Sequence, residues 1–370
     1  PKPVGHGYTS VQVDAANPFY TVGTSFRGHE FHYSMPVSGA DLEATTLRRR
    51  LAGRVLEFPT LVAGWTQISA ADETFDGVFA AGGHRFTLEE VGAGDGLLWS
   101  IDFLPDGTML VTQRDGVLWH FDGEKRTAVE GTPEVWQHGQ GGLLEVALHP
   151  DYADNGWVYL SYSENTGATE NGKEAGMTTV VRGRIVDGRW TDQERLFRAD
   201  GEHHTSSGAH YGSRFVFDDG YLFFGIGDRG RMERSQDLGR PNGKIYRIHD
   251  DGRVPADNPF VDREGALPEI YSYGHRNPQG LAMDPATGKI WEHEHGPQGG
   301  DEINHVKAGG NYGWPIVSYG CNYGDPIGEA CQIGGGTHAP TYIEPVSYWV
   351  PTSIAPAGMI FYSGTAFHQW

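Results

Sequence analysis

Cysteine is nearly missing from this chain: there are two, Cys321 and Cys331, ten residues apart in a Gly-rich loop. Neither belongs to a C-x-x-C arrangement, which leaves one loop disulfide in an oxidising compartment or two free thiols as open alternatives. Long apolar runs are missing too. No stretch reaches 18 apolar residues, so no segment is read as spanning a bilayer. Basic residues are scarce, 28 Lys and Arg against 48 Asp and Glu, and the formal net charge is −20. Such a surface repels nucleic acid and anionic membrane, and no basic run interrupts it. A trianionic ligand binds only where a few Arg or Lys reverse the local field. The first residues, from Pro1 onward, show no basic-then-apolar leader pattern.

Turn-makers, by contrast, are abundant. Glycine occurs 54 times and proline 21 times, yet 38% of residues are hydrophobic and 12% aromatic, which excludes disorder. The composition predicts many short strands joined by tight turns. At 370 residues the chain can form one large all-β domain or two smaller domains.

A loose repeat begins after Gly83. Leu97 to Gly123 reads as strand, P-D-G turn, strand, R-D-G turn, strand. Leu143 to Ser163 repeats the plan with H-P-D-Y at the turn, and Ser213 to Gly230 repeats it with D-D-G. Gln279 to Gly296 is a fourth copy, turning at D-P-A-T-G. This recurrence, at about 45 to 70 residues, predicts propeller blades with uneven loop insertions. A β-sandwich would not need the same turn chemistry at the same place in every unit. The last residues, APAGMIFYSGTAFHQW, read as the first strand of a further blade. The expectation is therefore a propeller over 84–370 that lacks its last blade or more.

The segment before the repeat differs in character. GHGY and RGHEFHYS, within Pro1 to Ser34, resemble the end of the glutamine amidotransferase domain of cobyrinic acid a,c-diamide synthases. In that family the histidine of E-F-H-Y-S, here His32, assists a cysteine nucleophile. No cysteine or nucleophile elbow lies near it here, so residues 1–35 read as an inactive remnant, a fusion scar or a misjoined frame. Residues 36–83 read as a junction, with one short helix over DLEATTLRRRLAGRVLEF capped by Asp41.

Polar groups concentrate just before the strands of the repeat. Gln140 precedes one copy, His210 the next, and Y-G-H-R-N-P with E-H-G-P-Q-G-G-D-E-I-N flanks the fourth. Inner strands ring the channel of a propeller, so these residues converge on one pocket. GQGGLLEVALHPDY, GIGDRG, GKIYRIHDDGRVPADNPF, SYGHRNPQGLAMDP, EHGPQGGDEIN and GGNYGWP occur in this order. Together they resemble the soluble pyrroloquinoline-quinone (PQQ) aldose sugar dehydrogenases, of the glucose/sorbosone dehydrogenase type, over about 285 residues.

That resemblance implies a six-bladed β-propeller that oxidises aldose sugars at C1 to lactones, with hydride transfer to PQQ assisted by Ca²⁺. It implies His210 as general base, in place of a merely capping or buried histidine. Arg276 and Asn277 would stand beside the quinone, Arg276 stabilising charge on the reduced oxygen; the other reading of Arg276 is a surface arginine at a turn. Gln140, Arg229, His295, Trp349 and Thr352 are implied as further cofactor contacts. The backbone carbonyls of Gly296 and Pro297 would hold Ca²⁺, with Asp301 and Glu302 bracing the loop. Oxygen-only ligation suits calcium. The competing reading makes His293 and His295 a transition-metal pair, two apart on one strand face. His203 and His204 read as a solvent-exposed loop.

Arg229 stands where the glucose-specific branch carries a smaller amide, which implies the broader aldose branch. The basic residues that pair with the cofactor carboxylates in the family lie beyond Trp370, and each such contact is worth about 1.5–3 kcal/mol. An external electron acceptor, the absence of nucleic-acid partners, and a periplasmic or secreted location complete the implied picture. A second hypothesis is a non-catalytic calcium-binding propeller that binds a carbohydrate or a protein, since fold does not fix function.

Overall fold

A computed structural model of the protein describes residues 94–123, 125–351 and 353–361, together with the backbone of six strands nearer the N-terminus. Four of those strands form an antiparallel sheet in the order Ser25–His29, Gly7–Gln12, His84–Ala93, Val78–Ala81. The other two, Thr46–Leu51 and Arg54–Pro59, pair with each other, Leu51 opposite Arg54. This corrects the helix expected there. Only two residues separate the strands, the second being Gly53, and such spacing suits a hairpin and disfavours a continuous helix. The proposed cap Asp41, His32, and most of the amidotransferase-like and junction segments lie outside the described residues.

The rest is all-β and arranged as four propeller-like blades, each an antiparallel sheet of four strands in sequence order. The first holds Leu98–Phe103, Met109–Gln113, Leu118–Asp122 and Lys125–Ala128; the second holds Leu143–Leu148, Val158–Glu164, Met177–Val186 and Arg189–Arg198. The third runs through Phe215–Asp218, Tyr221–Ile226, Lys244–His249 and Ile270–Tyr273. The fourth comprises Pro278–Met283, Ile290–Glu294, Asp301–His305 and, after a long excursion, Ser347–Trp349. The acidic-Gly turns behave as their chemistry requires. Asp219 and Gly220 both take positive φ, 45° and 77°, between the paired residues Asp218 and Tyr221, and two such residues form a hairpin turn whose twist matches the strands.

The second strands are almost wholly buried on both faces. Leu110, Leu118, Leu143, Val146, Val158, Leu160, Val181 and Trp190 fill the space between the first and second blades. Tyr159, Met177, Val180, Phe197, Phe215, Leu222, Phe224, Tyr246 and Ile270 fill that between the second and third. A smaller group, Phe223, Ile245, Leu281 and Ile290, joins the third to the fourth. The leading strands of the second, third and fourth blades are also tied to neighbouring blades by polar contacts. Thr112 Oγ1 donates to the Leu144 carbonyl at 2.5 Å, Arg214 pairs with Glu145 at 2.6 Å, and Arg214 Nε donates to the Gln279 carbonyl at 3.0 Å. The segments just upstream of these strands are thereby fixed side by side, and they carry the site.

Candidate active site

His210 lies three residues after Ser207 and five before Phe215, where the leading strand of the third blade begins. Its backbone is left-handed, φ 57°, an uncommon state for a residue with a side chain. Two contacts hold it there: its N–H donates to Gln140 Oε1 at 2.7 Å, and its Nδ1 lies 2.6 Å from Asp228 Oδ1. Asp228 is fully buried and also accepts Trp314 Nε1–H at 2.8 Å and the Gly230 N–H at 2.7 Å. Burial works to raise its pKa, but the His210 hydrogen bond and the charges of His210 and Arg276 outweigh it, so the carboxyl stays below its ordinary range. Burial pushes the His210 pKa down; Asp228 opposes this, and the charges of Arg276 and Arg229 add to it. An ionised Asp228 accepts from Nδ1–H, so the neutral imidazole keeps its Nε2 lone pair free to take a proton.

Arg276 stands beside this dyad. Its carbonyl accepts the Asp228 N–H at 2.7 Å, and its guanidinium donates to the His295 carbonyl at 2.8 Å and toward Tyr323 Oη at 3.3 Å. Glu294 accepts the backbone N–H groups of both Arg276 and Asn277. The Arg276 Nε is buried and has no hydrogen-bond partner among the described residues.

The loop after His295 turns sharply: a Cβ on Gly296 would meet the carbonyl oxygen of Gly299 at 2.2 Å. Asp301, fully buried, holds the loop by accepting the Gly296 N–H at 2.8 Å, and it also accepts Ser353 Oγ–H and the N–H groups of Ile354 and Ala355. Among the described residues no hydrogen bond reaches the carbonyl oxygens of Gly296 or Pro297. A small cavity lined by Arg276, Glu294, His295, Gly296 and Trp314 opens here.

The family description glucose/sorbosone dehydrogenase matches residues 97–370. This protein belongs to that family. The aldose sugar dehydrogenase YliI of Escherichia coli K12 is 46% identical over 280 residues, covering 74% of this chain and 72% of its own. The crystal structure of the soluble E. coli aldose sugar dehydrogenase in the apo form superposes with a TM-score of 0.67 at 42% identity, covering 74% of this chain and 78% of that one. The PQQ-bound aldose sugar dehydrogenase of Streptomyces coelicolor gives a TM-score of 0.57 at 30% identity, covering 73% of each chain. The chain is thus an oxidoreductase of this family.

Within the dehydrogenase, His210, Gln140, Arg276, His295 and the Gly296–Pro297 turn come together. Asn277 receives Gln279 Nε2–H on its Oδ1 at 3.2 Å, and Trp349 sits on the fourth blade's last strand opposite Asp301, its carbonyl accepting the Gly300 N–H. Thr352 lies outside the described residues. Arg229, named above as a cofactor contact, is fully buried; its guanidinium donates to the carbonyls of Ala209 and Ser207 and lies over the ring of Tyr211, and its Nε has no hydrogen-bond partner among the described residues. His293 and His295 do not converge on a metal: Nε2 of each meets a backbone carbonyl, that of Ala357 at 2.9 Å and that of Pro356 at 2.6 Å. His203 and His204 are buried, not solvent-exposed. His204 is held between the carbonyls of Ala199 and Ala175, and His203 lies 2.8 Å from Arg240. Cys321 and Cys331 form a disulfide.

Sequence reading missed Asp228, Glu294 and Trp314. The signal for Asp228 was present in G-D-R-G, where an acid ends an apolar strand. It also missed a second buried group, His275, Glu292 and Glu294, whose ligand atoms lie within 4.8 Å of one another. Glu302 belongs to its surroundings through Asn304 and lies 3.4 Å from His338 Nε2.

Proposed function

We propose that the dehydrogenase oxidises aldose sugars at C1 to lactones, with PQQ and Ca²⁺ as cofactors and an external electron acceptor. The observation that carries this is the His210–Asp228 dyad beside Arg276 and His295. The names of the relatives support the substrate class and the quinone. The donor set fits both cofactors. Two carbonyls on a braced turn, Gly296 and Pro297, offer hard oxygen ligands suited to calcium, and Arg276, with a buried unpartnered Nε, offers a charge to a polyanion. Asn277, His295, Trp349 and Thr352 would complete the quinone pocket. When bound, PQQ supplies the two-electron acceptor for the C1 hydride, and Ca²⁺ supplies the Lewis acid beside it.

The protein's own part is proton and position. Neutral His210 takes the C1 hydroxyl proton on Nε2 while the hydride leaves C1, so the sugar loses two electrons and both hydrogens. Asp228 fixes the tautomer and stabilises the imidazolium that forms. Arg276 stabilises negative charge that develops opposite it. We further infer that the four blades belong to a six-bladed propeller. The disulfide favours an oxidising, periplasmic or extracellular setting, and no described helix is long and apolar enough to cross a membrane.

The test is aldose-dependent dye reduction by the purified chain, with and without Ca²⁺ and PQQ, beside His210→Ala. Turnover that needs both cofactors and vanishes in His210→Ala is expected. A chain that takes up Ca²⁺ but not PQQ and gives no turnover would favour the non-catalytic calcium-binding propeller instead.

A further inference from the structure

Arg229 is the largest side chain buried completely in the described residues. It makes no ion pair there: its neighbour Asp228 is committed to His210, Trp314 and Gly230. The guanidinium instead donates to the Ala209 carbonyl, to the Ser207 carbonyl at 2.8 Å and toward the Gly176 carbonyl at 3.4 Å. Its carbon lies 3.3 Å above the centre of the Tyr211 ring. A buried cation held only by carbonyl dipoles and a π-face is a costly arrangement, and core packing alone would be served by an apolar residue. What the arrangement does achieve is local. Ala209 and Tyr211 flank His210 in the chain, so the clamp holds both ends of the one residue whose left-handed backbone delivers the imidazole to Asp228.

We propose that Arg229 is a positioning residue for His210: by gripping Ser207, Ala209 and Tyr211 it fixes the backbone from which the base reaches Asp228. The inference rests on His210 being the base proposed above. Arg229 acts without touching substrate. Its charge also bears on the imidazole. The charged and titratable groups facing His210 are Asp228, Arg276, Arg229 and His295; of these, only Asp228 favours the imidazolium. Removing the Arg229 charge therefore lets His210 hold its proton to higher pH.

Two variants separate the clamp from the charge. Arg229→Met removes both, and Arg229→Lys keeps the charge but loses the fork that spans two carbonyls. The His210 imidazole is titrated by NMR in each, its signal assigned by its loss in His210→Ala; this readout needs neither cofactor nor turnover. In Arg229→Met the midpoint is expected to rise by about one pH unit, carrying the acid limb of the kcat/KM profile with it. In Arg229→Lys the midpoint stays near wild type while kcat falls about tenfold at unchanged KM, as misplacement of a base requires. An unmoved midpoint in Arg229→Met, or wild-type kcat in Arg229→Lys, overturns the proposal. Should wild type show no turnover while the Arg229→Met midpoint still moves, the dehydrogenase reading fails and only the effect of the Arg229 charge on His210 stands. If neither variant folds, exchange of the wild-type Arg229 guanidinium protons decides: slow exchange supports the clamp, and exchange as fast as that of a surface arginine refutes it.

Discussion

The space between the second and third blades and the interior of the fourth are built from opposite materials. The former is apolar and aromatic: Phe224 and Tyr246 stack at 4.9 Å and Phe197 leans on both. The latter buries Glu292, Glu294, Asp301, Glu302 and Asn304, with Ser272, His275 and His338 of flanking segments buried beside them, and it leaves Glu292 Oε1 and Asn304 Oδ1 buried without hydrogen-bond partners among the described residues. Apolar burial stabilises irrespective of pH and ions, whereas buried carboxylates cost free energy unless they are protonated or paired. One region thus holds the second and third blades together, and the other holds groups in readiness for chemistry and for ligands.

Substitutions can pull the two apart. The largest effect is expected at the dyad. Asp228→Asn should lower kcat for aldose oxidation by about 10²–10⁴-fold, as loss of oriented base catalysis does, with a urea midpoint close to wild type. Phe224→Ala should do the reverse: a stability loss of about 3–5 kcal/mol in urea unfolding, as for other large-to-small changes in a core, with little change in kcat for the fraction that remains folded. If Phe224→Ala instead abolished turnover at full folding, the division of labour would be wrong.

A pH experiment probes the polar region by itself. Burial, reinforced by the charges of Glu294 and Glu302, raises the Glu292 pKa well above 4.5. A carboxyl raised in the fold contributes full stability below the unfolded value and loses it as pH rises toward the folded one. In chelator-treated protein the melting temperature should therefore fall as pH rises above about 4.5, and fall less steeply in Glu292→Gln; equal slopes would refute the assignment. The smallest effect belongs to Glu170. Burial works against its ionisation, but hydrogen bonds from Arg231 and Ser206 prevail and hold its pKa at about 2. The stability it adds is present above 4.5 and lost as pH falls toward 2. Glu170→Gln should cost about 1–3 °C in melting temperature at pH 7 and nothing near pH 2.

The apolar half of this contrast was legible in the sequence and the polar half was not. Turns such as Asp219-Gly220 and the apolar runs beside them announce strands by local chemistry, so the four blades fell where the repeat put them. The run W-E-H-E-H alternates acid and imidazole, which reads as a half-exposed strand. In the structure both faces are buried: Glu292 and Glu294 turn to His275 and Asn304, His293 and His295 to the carbonyls of residues 356–357. The period of two was visible; what covers each face depends on segments far away in sequence. His203 and His204 were misread for the same reason, since the carbonyls of Ala175 and Ala199 that satisfy His204 carry no side-chain signal. Thr46–Leu51 and Arg54–Pro59 were misread because leucine and arginine suit helix and strand alike, and the glycine between them was given too little weight.

The site residues lie one upstream step before successive leading strands, so Gln140, His210 and Arg276 are about 70 residues apart in the chain. Nothing local brings them together. Each blade can form its hairpins early, from neighbouring residues, but His210 meets Gln140 and Asp228 meets Trp314 only when neighbouring blades have docked. Long-range closure of this kind is slow compared with hairpin formation. The working geometry is consequently the last thing the folding chain acquires, and a population rich in native strands can still be wholly inert.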